Sequence, residues 1–194
     1  MTDELKQLGQ LDFSKQVAFA YLTCERLYPN YIYFSNNFDF GNPTILREAI
    51  DFIYKNIFEE NPDKNKISIL VKEVEKNTPD TEDFSTIFVS SALDACTCIL
   101  DSLDLLSDKQ LLHLKSILSY ATDSVDMYVR DLEDIKASDK EFLQKVNEHP
   151  LMKKEISVQQ GIIAFLNNSK NLDYDDIQTL LNLQDNNNKS TLGL

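Results

Sequence analysis

The sequence predicts an all-α fold: a single-domain array of about seven to nine helices around a central apolar helix near residues 84–106. Three observations lead there. Four glycines and five prolines in 194 residues are too few for the tight turns of a sheet-rich chain. Apolar side chains recur at spacings of three and four through most of the length. Polar or proline-bearing breaks divide that pattern into pieces of ordinary helix length. With 42% hydrophobic and 26% charged residues, the composition is that of a globular chain. A domain of this size buries roughly 70% of its unfolded surface, so its core needs neither disulfide nor metal.

The first element is a short helix over Asp3–Leu8. A second runs from Ser14 to Tyr28, with Val17, Ala20, Tyr21, Cys24 and Leu27 along one side. Pro29 lacks the N–H that would continue it, so a break is expected there, followed by a short aromatic helix over Asn30–Asn37. Asn42-Pro43 pairs an N-cap with proline at the first helical position and opens a helix to Phe58. A polar loop over Asn61–Asn65 precedes a helix from Ile67 to Lys76, which stops before Thr78-Pro79. Between Asp83 and Asp101, Asp94 is the only charge, and an apolar circumference of that kind is normally wrapped by other helices. Ser107-x-x-Gln110 and Ser138-x-x-Glu141 read as capping boxes. Between them Leu111, Leu114, Leu118, Ala121, Val125, Tyr128, Leu132 and Ile135 form a regular seam. Packing of that seam within the domain is favoured over a homodimer. Pro150 starts a helix ending at Asn167-Asn168, and Asp173 caps a last one over Tyr174–Leu183. These elements make one domain over residues 1–184, with a frayed polar tail over 185–194.

A net charge of −13, with no basic stripe in the sequence, argues against nucleic acid, whose binding requires clustered cations, and disfavours an anionic membrane surface on the same grounds. A protein partner, a basic one in particular, remains compatible. The first 13 residues contain Asp3, Glu4, Lys6 and Asp12 and lack the apolar stretch of a signal peptide. No apolar run approaches the roughly 20 residues of a membrane span, so a soluble, cytoplasmic protein is expected. Cys24, Cys96 and Cys98 are an odd set, and reduced thiols are the simplest reading.

Two histidines and scattered cysteines supply no zinc spacing, and four isolated glycines build no phosphate loop. No metal and no cofactor is therefore expected. His113 lies about 200° around its helix from Leu111, and both it and His149 are expected in solvent. Cys24 falls on an apolar face and reads as a packed residue. The informative stretch is Cys24-Glu25-Arg26-Leu27-Tyr28-Pro29-Asn30-Tyr31, which holds one of three arginines (Arg26, Arg47, Arg130). Asp94, alone on its apolar helix, needs a partner; Arg26 or a helix N-terminus is expected to supply it.

The run from Cys24 through Tyr31 to Phe34, then Phe40-Gly41, Arg47 and Leu93-Asp94-Ala95-Cys96, resembles the YjaG-like proteins, a bacterial family of unknown function. The likeness extends from Leu11 to Ile163 and takes in Glu155 and Gln159; the Asn-rich end departs from it. The resemblance implies an all-helical array and no assigned activity. Two functions follow as expectations. The first is a non-enzymatic interaction or adaptor module. The second is a small-ligand binder or enzyme with its site near Glu25, Arg26, Tyr28, Asn30, Tyr31 and Asp94, where a helix broken at Pro29 would leave backbone groups free; the alternative reading of the same residues is a structural bridge between helices, with the aromatics filling core.

Overall fold

The computed structural model describes residues 2–136, 141–184, 190 and 192–194. These form nine helices: α1 (Asp3–Gly9), α2 (Phe13–Phe38), α3 (Pro43–Lys55), α4 (Lys64–Lys76), α5 (Phe88–Asp108), α6 (Leu111–Leu132), α7 (Phe142–Glu148), α8 (Pro150–Asn168) and α9 (Tyr174–Leu183). No strand occurs among the described residues. None of their helices is long and apolar enough to cross a membrane. The all-α array is the fold predicted from the helical spacing.

Helix α5 is central, packed on α2, α3, α4 and α6. The first half of α2 shares that position: its residues from Val17 to Cys24 are all buried. α5 starts at Phe88 rather than at Phe84. Phe84 stays in the preceding connection, where its ring packs edge-on against Phe34, Phe38 and Phe40.

The expected break at Pro29 is absent. α2 runs through the proline for 26 residues. Pro29 leaves the Glu25 carbonyl without its N–H donor, a loss of roughly 3 kcal/mol in a helix interior. Continuing the helix keeps Tyr31 and Phe34 on the stripe of Leu27, both fully buried. Each such side chain contributes about 1.5–3 kcal/mol, so packing outweighs the lost bond. The helix ends at Asp39 in the left-handed conformation (φ 51°), its N–H donating to the Ser35 carbonyl. Likewise α4 begins three residues earlier than the apolar pattern alone predicts, because the Asp63 carboxylate accepts from the N–H groups of Asn65 and Lys66.

Between α5 and α6 the Ser107–Gln110 box does not form. Ser107 lies inside α5, and Lys109 closes that helix with φ 60°. Cross-links from the first half of α6 hold the two helices together instead. His113 Nδ1 is 2.7 Å from an Asp101 oxygen and its Nε2 is 3.2 Å from Asp108, while the Tyr120 hydroxyl donates to Asp101 at 2.6 Å. His113 is thus half-buried, not free in solvent. Burial alone would lower its pKa, but hydrogen bonds to the two carboxylates outweigh it and the net shift is upward. His149 is also engaged, its Nδ1 accepting from the Leu151 N–H at the start of α8.

The α6 seam turns inward, rotated from the expected register. Leu114, Ile117, Ala121, Ser124, Val125 and Val129 are buried, whereas Leu111 and Leu132, at its two ends, are exposed. The second proposed capping box, at Ser138, lies outside the described residues. Two buried clusters result. The large one joins α1 to α6 with α8 and α9. A smaller one gathers Val125, Val129, Ile135, Val146, Met152 and Leu192. Within the span expected to be a frayed tail, Ser190 and Leu192 are buried.

Candidate functional site

The Cys24–Tyr31 stretch is helical throughout, so its side chains leave α2 in three directions. Glu25 faces α3, where Arg47 grips it with two bonds, Nη1 to Oε2 at 2.9 Å and Nη2 to Oε1 at 2.7 Å. The Arg47 Nε donates to Asp51 at 2.8 Å. Tyr28 lies beneath that guanidinium, 5.3 Å from the ring centroid, and its hydroxyl donates to the Pro43 carbonyl. Burial, with Glu25 next in weight, pushes the Tyr21 phenol well up. Burial opposes the charge of Arg47, but Glu25 dominates and its net shift is upward. This forked pair fixes the angle at which α3 meets α2. Tyr31 points toward α4, donating to the Asn77 carbonyl at its C-terminal end at 2.7 Å.

Arg26 faces α8 and is only 2% exposed. Its Nη2 donates to Glu155, 0% exposed, at 3.1 Å. The Gln159 amide donates to the same Glu155 oxygen at 2.8 Å and to the Leu118 carbonyl at 3.3 Å. One turn along α2, Asn30 is buried with both amide atoms unpartnered, as are Arg26 Nε and Nη1. The expected Arg26–Asp94 pair is therefore not made. Arg26 pairs instead with Glu155 of α8, and Asp94 accepts a 2.6 Å hydrogen bond from the Ser124 hydroxyl of α6.

Asp94 is half-buried, and desolvation pushes its pKa up to about 7, against the opposing Ser124 bond. A carboxyl whose folded pKa lies above its unfolded value stabilises most below the unfolded value. That contribution is lost as pH rises through the folded one. Replacing Asp94 by Asn keeps an oxygen for Ser124 and removes the titration. The expected result is a gain of about 1–2 kcal/mol at pH 8 that vanishes near pH 4, read from urea unfolding of both proteins across that range. Equal differences at both pH values would show that Asp94 ionises normally.

The polar chain from Arg26 through Glu155 ends at Gln159, and Gln159 lines a cleft between α1, α6 and α8 of about 430 Å³. Leu5, Leu118 and Ile156 provide apolar lining, with Glu4, Lys115 and Gln160 among the polar residues beside them. Pockets of 300–1,000 Å³ with apolar walls and a few polar groups are the usual form of small-ligand sites. None of the six residues singled out from the sequence lines it.

The sequence profile of DUF416, described as a protein of unknown function, matches residues 3–194. The chain belongs to the DUF416 family. It is 28% identical over 175 residues to the uncharacterized protein YjaG of Escherichia coli K12, covering 90% of this chain and 87% of that one. The YjaG protein of Salmonella typhimurium is 27% identical over the same shares. A crystal structure of a DUF416 family protein from Shewanella baltica superposes with a TM-score of 0.89 at 24% identity, covering 100% of this chain and 99% of that one. That likeness establishes the DUF416 fold.

In this DUF416 chain the three thiols are buried. Cys24 Sγ lies 3.6 Å from Cys98 Sγ and 3.3 Å from the Ser102 hydroxyl. Burial pushes the Cys96 thiol up to about 12 and Cys98 well up, the opposite of what a nucleophilic thiolate needs. Among the described residues, no group of three or more His, Cys, Asp or Glu side chains is arranged for a metal ion. Sequence reasoning did not single out Glu155 and Gln159 on physical grounds, although a signal exists. They occupy positions 155 and 159 of the stripe Met152, Ile162, Ile163 and Leu166, polar residues at core spacing. The cleft has no such local signal, because its three helices are far apart in sequence.

Proposed function

We propose that the protein is a non-enzymatic binding module whose working surface is the cleft between α1, α6 and α8. The observation that carries this reading is the cleft itself: enough volume for a small apolar group, and an apolar lining bordered by polar side chains. The chemistry-bearing residues elsewhere support it. Glu25, Arg47 and Tyr28 are spent on holding α3, and Arg26 and Glu155 on holding α8. The alternative, a ligand or enzyme site along Cys24–Tyr31, loses its motivation, since α2 does not break at Pro29. On this reading the protein works in the cytoplasm, without cofactor, and its surface charge of −13 keeps it from nucleic acid and anionic membranes.

A neutral fluorescent probe, N-phenyl-1-naphthylamine, tests it. One probe is expected to bind per chain with enhanced emission. Ile156→Asp in the cleft should weaken binding at least tenfold, and Leu143→Asp, at an exposed apolar residue of α7, should not. Circular dichroism checks that both variants keep the fold. Probe binding that is absent, or equal in the two variants, would remove the cleft from consideration.

A further inference from the structure

Resting on that reading of the cleft, we infer that its ligand is a short zwitterionic peptide with apolar side chains, an apolar dipeptide in the simplest case. The charges beside the apolar lining carry the argument. Glu4 enters from α1 and Lys115 from α6, and among the described residues neither makes an ion pair. Lysines without an ion pair also occur elsewhere on the surface, Lys55, Lys64 and Lys72 among them, but Lys115 lines the same apolar cleft as a carboxylate that is itself unpaired. An unpaired anion and an unpaired cation thus border one apolar surface from two different helices.

A fatty acid would satisfy Lys115 and leave Glu4 without a partner beside its apolar chain. An amine would do the reverse, and a neutral hydrocarbon would leave both charges without partners while reducing their access to water. A ligand with an ammonium at one end and a carboxylate at the other meets both. Its apolar side chains then lie against Leu5, Leu118 and Ile156. Its central amide lies within the reach of a lining that already carries two carboxamides, Gln159 and Gln160. Gln159 is held in place from behind, because its Nε2 is committed to Glu155 and to the Leu118 carbonyl. The volume of about 430 Å³ suits two residues with large side chains better than a single amino acid.

The test is displacement of N-phenyl-1-naphthylamine from the full chain by Leu-Phe, by N-acetyl-Leu-Phe and by Leu-Phe amide. Wild type is expected to prefer Leu-Phe over either blocked form by about tenfold. In Glu4→Gln the acetylated peptide should compete as well as the free one, and in Lys115→Met the amide should. Both substitutions are at surface residues, and circular dichroism reports on their fold. If the probe binds and Ile156→Asp expels it, yet Leu-Phe does not compete or the blocked forms compete equally, the inference fails while the cleft reading survives. If the probe does not bind wild type, or Ile156→Asp leaves binding intact, both fail.

Discussion

Glu155→Ala is expected to destabilise the protein by about 3–5 kcal/mol, because it leaves the Arg26 guanidinium buried with its ion-pair partner removed. Arg26 is 2% exposed, and two of its nitrogens already have no hydrogen-bond partner, so it has little means of recovering hydration in place. Arg26→Ala should cost less, because the Glu155 carboxylate keeps its hydrogen bond from Gln159. The double variant Arg26→Met/Glu155→Met separates the net value of the pair from the penalty for breaking it. It removes both charges while filling the volume, and should lie within about 2 kcal/mol of wild type or above it. Chemical denaturation of the four proteins gives the cycle. A double variant as unstable as the single ones would mean that the pair contributes strong net stability.

The second large effect belongs to Gly41. Its φ of 68° lies in the left-handed region, and a Cβ built there would fall 2.1 Å from the Tyr31 hydroxyl. That hydroxyl is the one donating to Asn77 at the end of α4. Gly41→Ala therefore combines backbone strain of about 1 kcal/mol with displacement of a buried tyrosine from its acceptor, about 1–3 kcal/mol. A loss of about 2–4 kcal/mol is expected by urea unfolding. Adding Tyr31→Phe should recover part of it, since the clashing oxygen is then gone. No recovery would show that strain alone sets the cost.

The helix-forming pattern was legible wherever one face is apolar and a capping residue precedes it, as at Asn42-Pro43 and Asp173. The errors arose where a local rule competed with packing between distant segments. Pro29 signals a break, yet Tyr31 and Phe34 are seated in the core and hold α2 together. Asp94 and Arg26 were each recognisable as charges in need of a partner. Their partners, Ser124 and Glu155, lie on α6 and α8 and follow only from how the helices are arranged. The position of His113 on its own helix places it in water, whereas the carboxylates that hold it belong to α5. Glu25 and Arg47 both stand out in the sequence, but their forked contact depends on α3 turning back beside α2.

The division of the interior into two clusters leaves α6 and α8 as the long members common to both: Leu114, Ile117 and Ala121 of α6 sit in the larger and Val125 and Val129 in the smaller, while α8 gives Ile162, Ile163 and Leu166 to the larger and Met152 to the smaller. A small apolar nucleus opens at lower free energy than a large one. The region around α7 and Leu192 can therefore loosen while the main body stays closed, and the molecule then resists disruption in two tiers. Proteases and amide exchange would meet the weaker tier first, at the far end of α6.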